Sequence, residues 1–193
     1  MIMRRILSIS ILLSLTACNA YRLDPPKGFA EVDEDRTGTR MKAGDDVGLN
    51  LRVFDNVEGG TLQFWSEDLV RKLGNRGYVL VAQSPVRSKN RVEGTRFDFS
   101  YTVPGTESEK KFYSVALFVT DKRVFALQLA GDESLRARHL ASFDAIAKDT
   151  KVRGCKAWKD TCKGPQPEKL STPVPDTAIA EAPGATELTA EHE

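Results

Sequence analysis

The stretch "FYSVALFVTDKRVFALQLA", residues 112–130, decides the fold. Two runs rich in β-branched and aromatic residues, 112–120 and 123–130, flank Asp121-Lys122, a connection short enough for a tight antiparallel hairpin. Working upstream, "RFDFSYTV" at 96–103 alternates Phe97, Phe99, Tyr101 and Val103 on one face, and "YVLVAQ" at 78–83 supplies a further strand. Before these, Thr61 is a candidate helix N-cap. Leu62, Trp65, Leu69 and Leu73 then recur at three- and four-residue spacings until Gly77 stops the pattern. Earlier still, "VGLNLRVF" at 47–54 sets Val47, Leu49, Leu51 and Val53 on one face of a half-buried strand. Downstream, Asp132 or Ser134 is placed to cap a second helix in which Leu135, Phe143, Ile146 and Ala147 share a face. Strands, a helix, an antiparallel meander and a closing helix predict an α+β domain: an α-β-α sandwich with a mainly antiparallel sheet covered by two helices.

The two ends of the chain differ from this middle. Arg4 and Arg5 precede the apolar or small run Ile6 to Leu15, and Thr16-Ala17 closes it, the layout of a secretory signal peptide over residues 1–17. Ten helical residues at about 1.5 Å each reach only half of a hydrocarbon core roughly 30 Å thick, so the run is too short for a span. Leu15-Thr16-Ala17-Cys18 resembles the lipobox of bacterial lipoproteins. The resemblance implies that Cys18 receives a diacylglyceryl thioether, becomes the new N-terminus after cleavage, and carries acyl chains such as palmitate. Two or three such chains exceed what stable anchoring requires. Asn19, in place of the aspartate seen after the cysteine in lipoproteins kept in an inner membrane, points to the outer membrane in a Gram-negative host. The competing reading is an ordinary secretory signal with a free Cys18. At the other end, Lys163 to Glu193 has no aromatic residue and carries two basic against six acidic side chains, which predicts a disordered acidic tail over 163–193.

Loss of Arg4 and Arg5 with the leader lowers the 28 basic side chains of the chain to 26, against 27 acidic ones. A chain this close to neutral gives no electrostatic argument for nucleic acid as a partner. Residues 18–150 suffice for one domain with one core. In an exported protein, the even pair Cys155 and Cys162, within the segment 151–162, reads as a disulfide tying down the end of the domain. Metal binding is the rival, and it would have to recruit His139 or His192.

"YRLDPPKGF" at 21–29, the strand at 47–54, the helix at 61–76, "VEG" at 92–94, the hairpin strands and "SFDAI" at 142–146 together resemble the PsbP-like and DcrB-like family. The resemblance implies the same sandwich, and a role as an exported or lipid-anchored binding and assembly factor without catalysis. It carries over no functional residue.

Other motifs have competing readings. Asp33-Glu34-Asp35-Arg36-Thr37-Gly38 resembles the start of a calcium loop, but the twelfth position is Gly44 where a bidentate glutamate is needed; a polar turn between two strands explains the same residues. His139 lies one helical turn from Leu135 and from Phe143, which suits a half-buried structural histidine; a hydrolase reading would need a nucleophile converging on it. Arg87, Lys89 and Arg91, with Arg71, Lys72 and Arg76 on the preceding helix, form either a solvated basic loop or a surface for anionic headgroups or an acidic partner. No G-x-S-x-G, H-E-x-x-H, paired C-x-x-C or phosphate-binding glycine loop occurs. The chain therefore reads as a non-enzymatic lipoprotein without cofactor, a binding or assembly module of the cell envelope whose partner is another envelope protein. The alternative is a periplasmic small-ligand carrier with a pocket between sheet and helix.

Overall fold

The structure is a computed structural model that describes residues 20–35, 37–106, 108–154 and 164–166. In chain order the elements are β1 (Tyr21–Arg22), β2 (Phe29–Asp35), β3 (Gly38–Ala43), β4 (Gly48–Asp55), α1 (Leu62–Gly74), β5 (Tyr78–Arg87), β6 (Glu93–Thr102), β7 (Lys110–Val119), β8 (Arg123–Asp132), α2 (Arg136–Asp149) and β9 (Lys151–Val152). Seven strands form one antiparallel sheet in the order β2-β3-β4-β8-β7-β6-β5, and β1 pairs with β9 as a separate two-stranded ribbon.

The central hairpin β7–β8 is buried on both sides because a helix covers each face. On one face Phe112, Phe118, Phe125, Leu127 and Leu129 pack with Phe143, Ile146 and Ala147 of α2 and with Leu49 and Leu51 of β4. On the other, Val115, Leu117 and Val119 join Phe97, Phe99 and Leu73, with Trp65 and Leu69 of α1 against them. Successive side chains of a strand point to opposite faces, so each central strand contributes to both layers. The expected α-β-α sandwich is the observed one. Gly94 of the "VEG" stretch is required by packing: a Cβ there would strike the Leu117 carbonyl oxygen and the Phe118 ring.

The sequence pattern assigns no range to the strands β1, β3 and β9, and the other differences lie at the ends of elements. β5 runs past Gln83 through Pro85 to Arg87, because at the margin of a sheet a proline sacrifices no ladder hydrogen bond. Asp33 to Asp35 belong to β2, which is exposed from Ala30 onward because it forms the opposite margin of the sheet. Thr61 caps α1 as expected, its hydroxyl accepting from the Phe64 amide at 3.1 Å. The second helix, by contrast, starts without a side-chain cap: a 3₁₀ turn over Glu133–Leu135 leads into it, and neither Asp132 nor Ser134 acts as the cap of α2.

A buried ion pair within β6 positions an arginine that reaches α2. Arg96 of β6 contacts Asp98 Oδ2 at 3.1 Å and Asp144 of α2 at 2.7 Å, and Asp98 is only 3% exposed. Arg136 adds a hydrogen bond from α2 to the Phe99 carbonyl at 2.7 Å. Asp98→Asn leaves Arg96 underpaired in a dry site, and should cost about 3 kcal/mol in urea unfolding with an unchanged denaturant slope. An unchanged midpoint would show that the Arg96–Asp98 pair does not stabilise the domain.

Candidate functional site

The first turn of α1 is pinned to the turn of the central hairpin. The Trp65 indole donates to Asn56 Oδ1 at 3.1 Å, while the Asn56 amide donates to the Gly60 carbonyl at 2.9 Å and the Thr120 carbonyl at 3.1 Å. With that end fixed and Leu73 buried, the outer flank of α1 and strands β5 and β6 enclose a groove of about 770 Å³, open to solvent. Leu62, Val70, Leu80 and Phe97 line it, together with the polar Gln63, Glu67, Arg71 and Gln83; Pro165 and Gln166 also reach its wall. Beneath α1 itself the space is filled, since Phe97 and Phe99 are fully buried against the helix.

Beside the groove runs β5, the last strand of the sheet. Val79 and Val81 are 65% and 60% exposed, and no charged residue occurs from Tyr78 to Val86. An irregularity between Leu80 and Ala82, with Val81 as the extra residue, loosens the pairing with β6. Natural proteins usually blunt such margins with charge, so a long apolar one marks a place where another extended chain can add.

The residues singled out by sequence distribute as follows. Cys18, Cys155 and Cys162 lie outside the described residues, as do the leader and the tail beyond Gln166. His139 is 8% exposed, and its Nε2–H donates to Asp45 Oδ2 at 2.9 Å; a carboxylate only accepts, which fixes the tautomer. The Phe29 ring meets the imidazole edge-on, and the Ser142 hydroxyl donates to the His139 carbonyl at 3.0 Å instead of facing the ring. His139 thus braces α2 against the β3–β4 turn. Asp35 accepts from the Thr37 amide and hydroxyl, both at 2.6 Å, which ties the end of the acidic strand into the β2–β3 turn. No cluster of three or more metal-ligating side chains occurs among the described residues. Arg71 and Lys72 are engaged by Asp68, and Arg87 by Glu93. Asn56 and Asp45 were not legible in the sequence as positioning residues, because in "DNVEGG" and "AGDDVG" they read as ordinary turn residues.

No family model matches the chain, and no curated protein matches its sequence. Among solved structures it is similar to LpqN of Mycobacterium tuberculosis, described as involved in cell envelope biogenesis, at a TM-score of 0.52 and 12% identity over 69% of this chain and 83% of that one. It is also similar to the cyanobacterial PsbP of Synechocystis sp. PCC 6803, at a TM-score of 0.50 and 12% identity over 70% of this chain and 88% of that one. This is the PsbP-like fold. At such identity the likeness carries the architecture, while the groove and the β5 margin stand on this chain's own residues.

Hydrogen bonding to His139 holds the Asp45 carboxyl below the usual carboxylate range. A carboxyl lowered in the folded state contributes stability that is fully present above its unfolded value of about 3.9 and is lost as pH falls through the lowered folded value. Asp45→Asn should therefore be less stable than the parent at neutral pH, with the difference closing on acidification below about pH 4 in thermal melts. A gap that stays constant with pH would rule out this linkage.

Proposed function

We propose that the chain is a lipoprotein held to the cell envelope by acyl chains on Cys18, more specifically to the outer membrane and facing the periplasm. Its PsbP-like domain serves as a non-enzymatic binding or assembly module. The observation that carries this reading is the exposed, uncharged run of β5 beside an open groove, in a domain whose helix–sheet interior is packed solid. A small-ligand site is a mostly apolar cleft or cavity that buries most of its ligand's surface. The groove found here is open and lined by both polar and apolar side chains. A protein partner offering an extended segment suits it better, with backbone hydrogen bonds giving affinity and the Leu80 and Leu62 side chains giving specificity. Among the described residues no helix is long and apolar enough to cross a membrane, which suits attachment by acyl chains. The fold shared with a protein of cell envelope biogenesis supports the same setting.

The disulfide between Cys155 and Cys162 belongs to this reading. Gly154 and Gly164, on either side of the cysteine-bearing segment, both rest against Thr120 of the β7–β8 turn, so the chain departs from and returns to one place, as a short bridged loop requires.

Two experiments test the proposal. A photo-crosslinking residue at Leu80 or Gln83 should give a discrete adduct with an envelope protein in living cells, while Cys18→Ser should release the chain from carbonate-washed membranes. Adducts absent from both positions would remove the β5 margin as the docking site, and a membrane-bound serine variant would remove the anchor. For the bridge, alkylation of unreduced protein from the periplasmic space should leave Cys155 and Cys162 unmodified, and modification of both would refute it.

A further inference from the structure

Several basic side chains come together at the place where the chain enters the domain. Ala20 and Tyr21 are buried, and β1 pairs with β9 so that Arg22 stands directly opposite Lys151. Arg153 donates its amide to the Ala20 carbonyl at 2.8 Å. The loop after β5 is zipped to the same ribbon: the Lys89 amide donates to the Thr150 carbonyl at 2.9 Å, and the Asn90 side chain brackets Val152 with bonds of 2.6 and 3.1 Å. Arg22, Lys89, Arg91, Lys151 and Arg153 are thereby drawn into one exposed neighbourhood, alongside Asp24, which pairs with Arg22, and Asp149, which lines the same surface hollow as Lys89. The other four have no ion pair among the described residues.

Two features of this patch work against the stability of the domain. Like charges directly opposite across a strand pair repel, as Arg22 and Lys151 do. Arg91 is held at φ 63°, in the left-handed region that a glycine or asparagine would occupy at less cost. Arg91 is exposed at the tip of its turn.

We infer that this patch is a membrane-facing base that sits on anionic phospholipid headgroups. The inference rests on the lipid-anchor reading for its geometry. Cys18 precedes buried Ala20 by two residues, a reach of about 7 Å in full extension, so acyl chains on that sulfur would leave the β1–β9 ribbon at headgroup level. Juxtamembrane lysines and arginines are drawn to anionic lipid within a Debye length of the surface, which is about 8 Å at physiological salt. The β5 margin would then rise from this base, since Arg87 runs directly into the Ser88–Arg91 loop.

The test uses the processed chain from residue 18 with Cys18→Ser, so that binding by the patch is read without acyl chains. It should co-sediment with vesicles of phosphatidylcholine mixed with phosphatidylglycerol, not with phosphatidylcholine alone, and the binding should fall as salt rises. Lys89→Ser, Arg91→Gly and Lys151→Ser should each weaken the partition about fivefold. Arg91→Gly also relieves the left-handed backbone and should unfold at equal or higher urea, which separates loss of binding from loss of fold. Equal binding to neutral and anionic vesicles, or a triple variant that binds like its parent, would overturn the inference. So would a charge-dependent crosslink to an acidic protein without vesicle binding. The intact mass of the Cys18 peptide from cells reads the anchor separately, so a failure there is not mistaken for a failure of the basic face.

Discussion

Burial of the β7–β8 hairpin on both of its faces is the constraint on which everything else rests. Phe112, Phe118, Phe125, Leu127 and Leu129 look to one helix, while Val115, Leu117 and Val119 look to the other layer. A sheet whose middle is apolar on both sides must be covered twice, and the order of the chain places one helix before the meander and one after it. The same turn between the two strands serves as an anchorage: Thr120 receives Asn56, which holds Trp65, and both Gly154 and Gly164 lie against it. One turn therefore sets the tilt of α1, hence the groove, and gathers the end of the domain.

The legibility of the fold follows from where burial is two-sided and where it is not. The hairpin, α1 with its Thr61 cap, and the buried side of α2 were readable because long periodic runs of apolar residues leave few alternatives. The limits of β2 and β5 were not, because marginal strands owe their existence to a neighbour rather than to their own pattern. From Ala30 to Asp35, β2 has no buried residue at all, and β5 includes a proline. The candidate site was illegible for the same reason. Val79, Leu80 and Val81 read as core in a linear sequence, and only the sheet order reveals that among the described residues no further strand pairs beyond β5.

Charge tells a related story. The chain is nearly neutral, and several of its cations are answered by nearby carboxylates: Arg71 and Lys72 by Asp68, Arg87 by Glu93, and Lys111 by Glu109 and Asp132. Lys89, Arg91, Lys151 and Arg153 have no ion pair among the described residues and are set apart by their clustering in one place. Composition averages such a patch away; topology restores it, because β9 and the loop after β5 are far apart in sequence and adjacent in space.

Together these features describe a stand: a base beside the N-terminus, and a strand margin carried above it for another protein to pair with. From Leu80 to Arg87 the strand extends about 23 Å at roughly 3.3 Å per residue, with Lys89 in the loop beyond it. The most direct measurement is energy transfer from a fluorescent residue, placed at 80 or at 89 of the lipidated protein in vesicles, to an acceptor on the lipid headgroups. Strong transfer from 89 and weak transfer from 80 is the predicted result. Equal transfer from both, or the reverse order, would mean that the domain lies on its side or is inverted, and the account of a raised docking strand would not survive it.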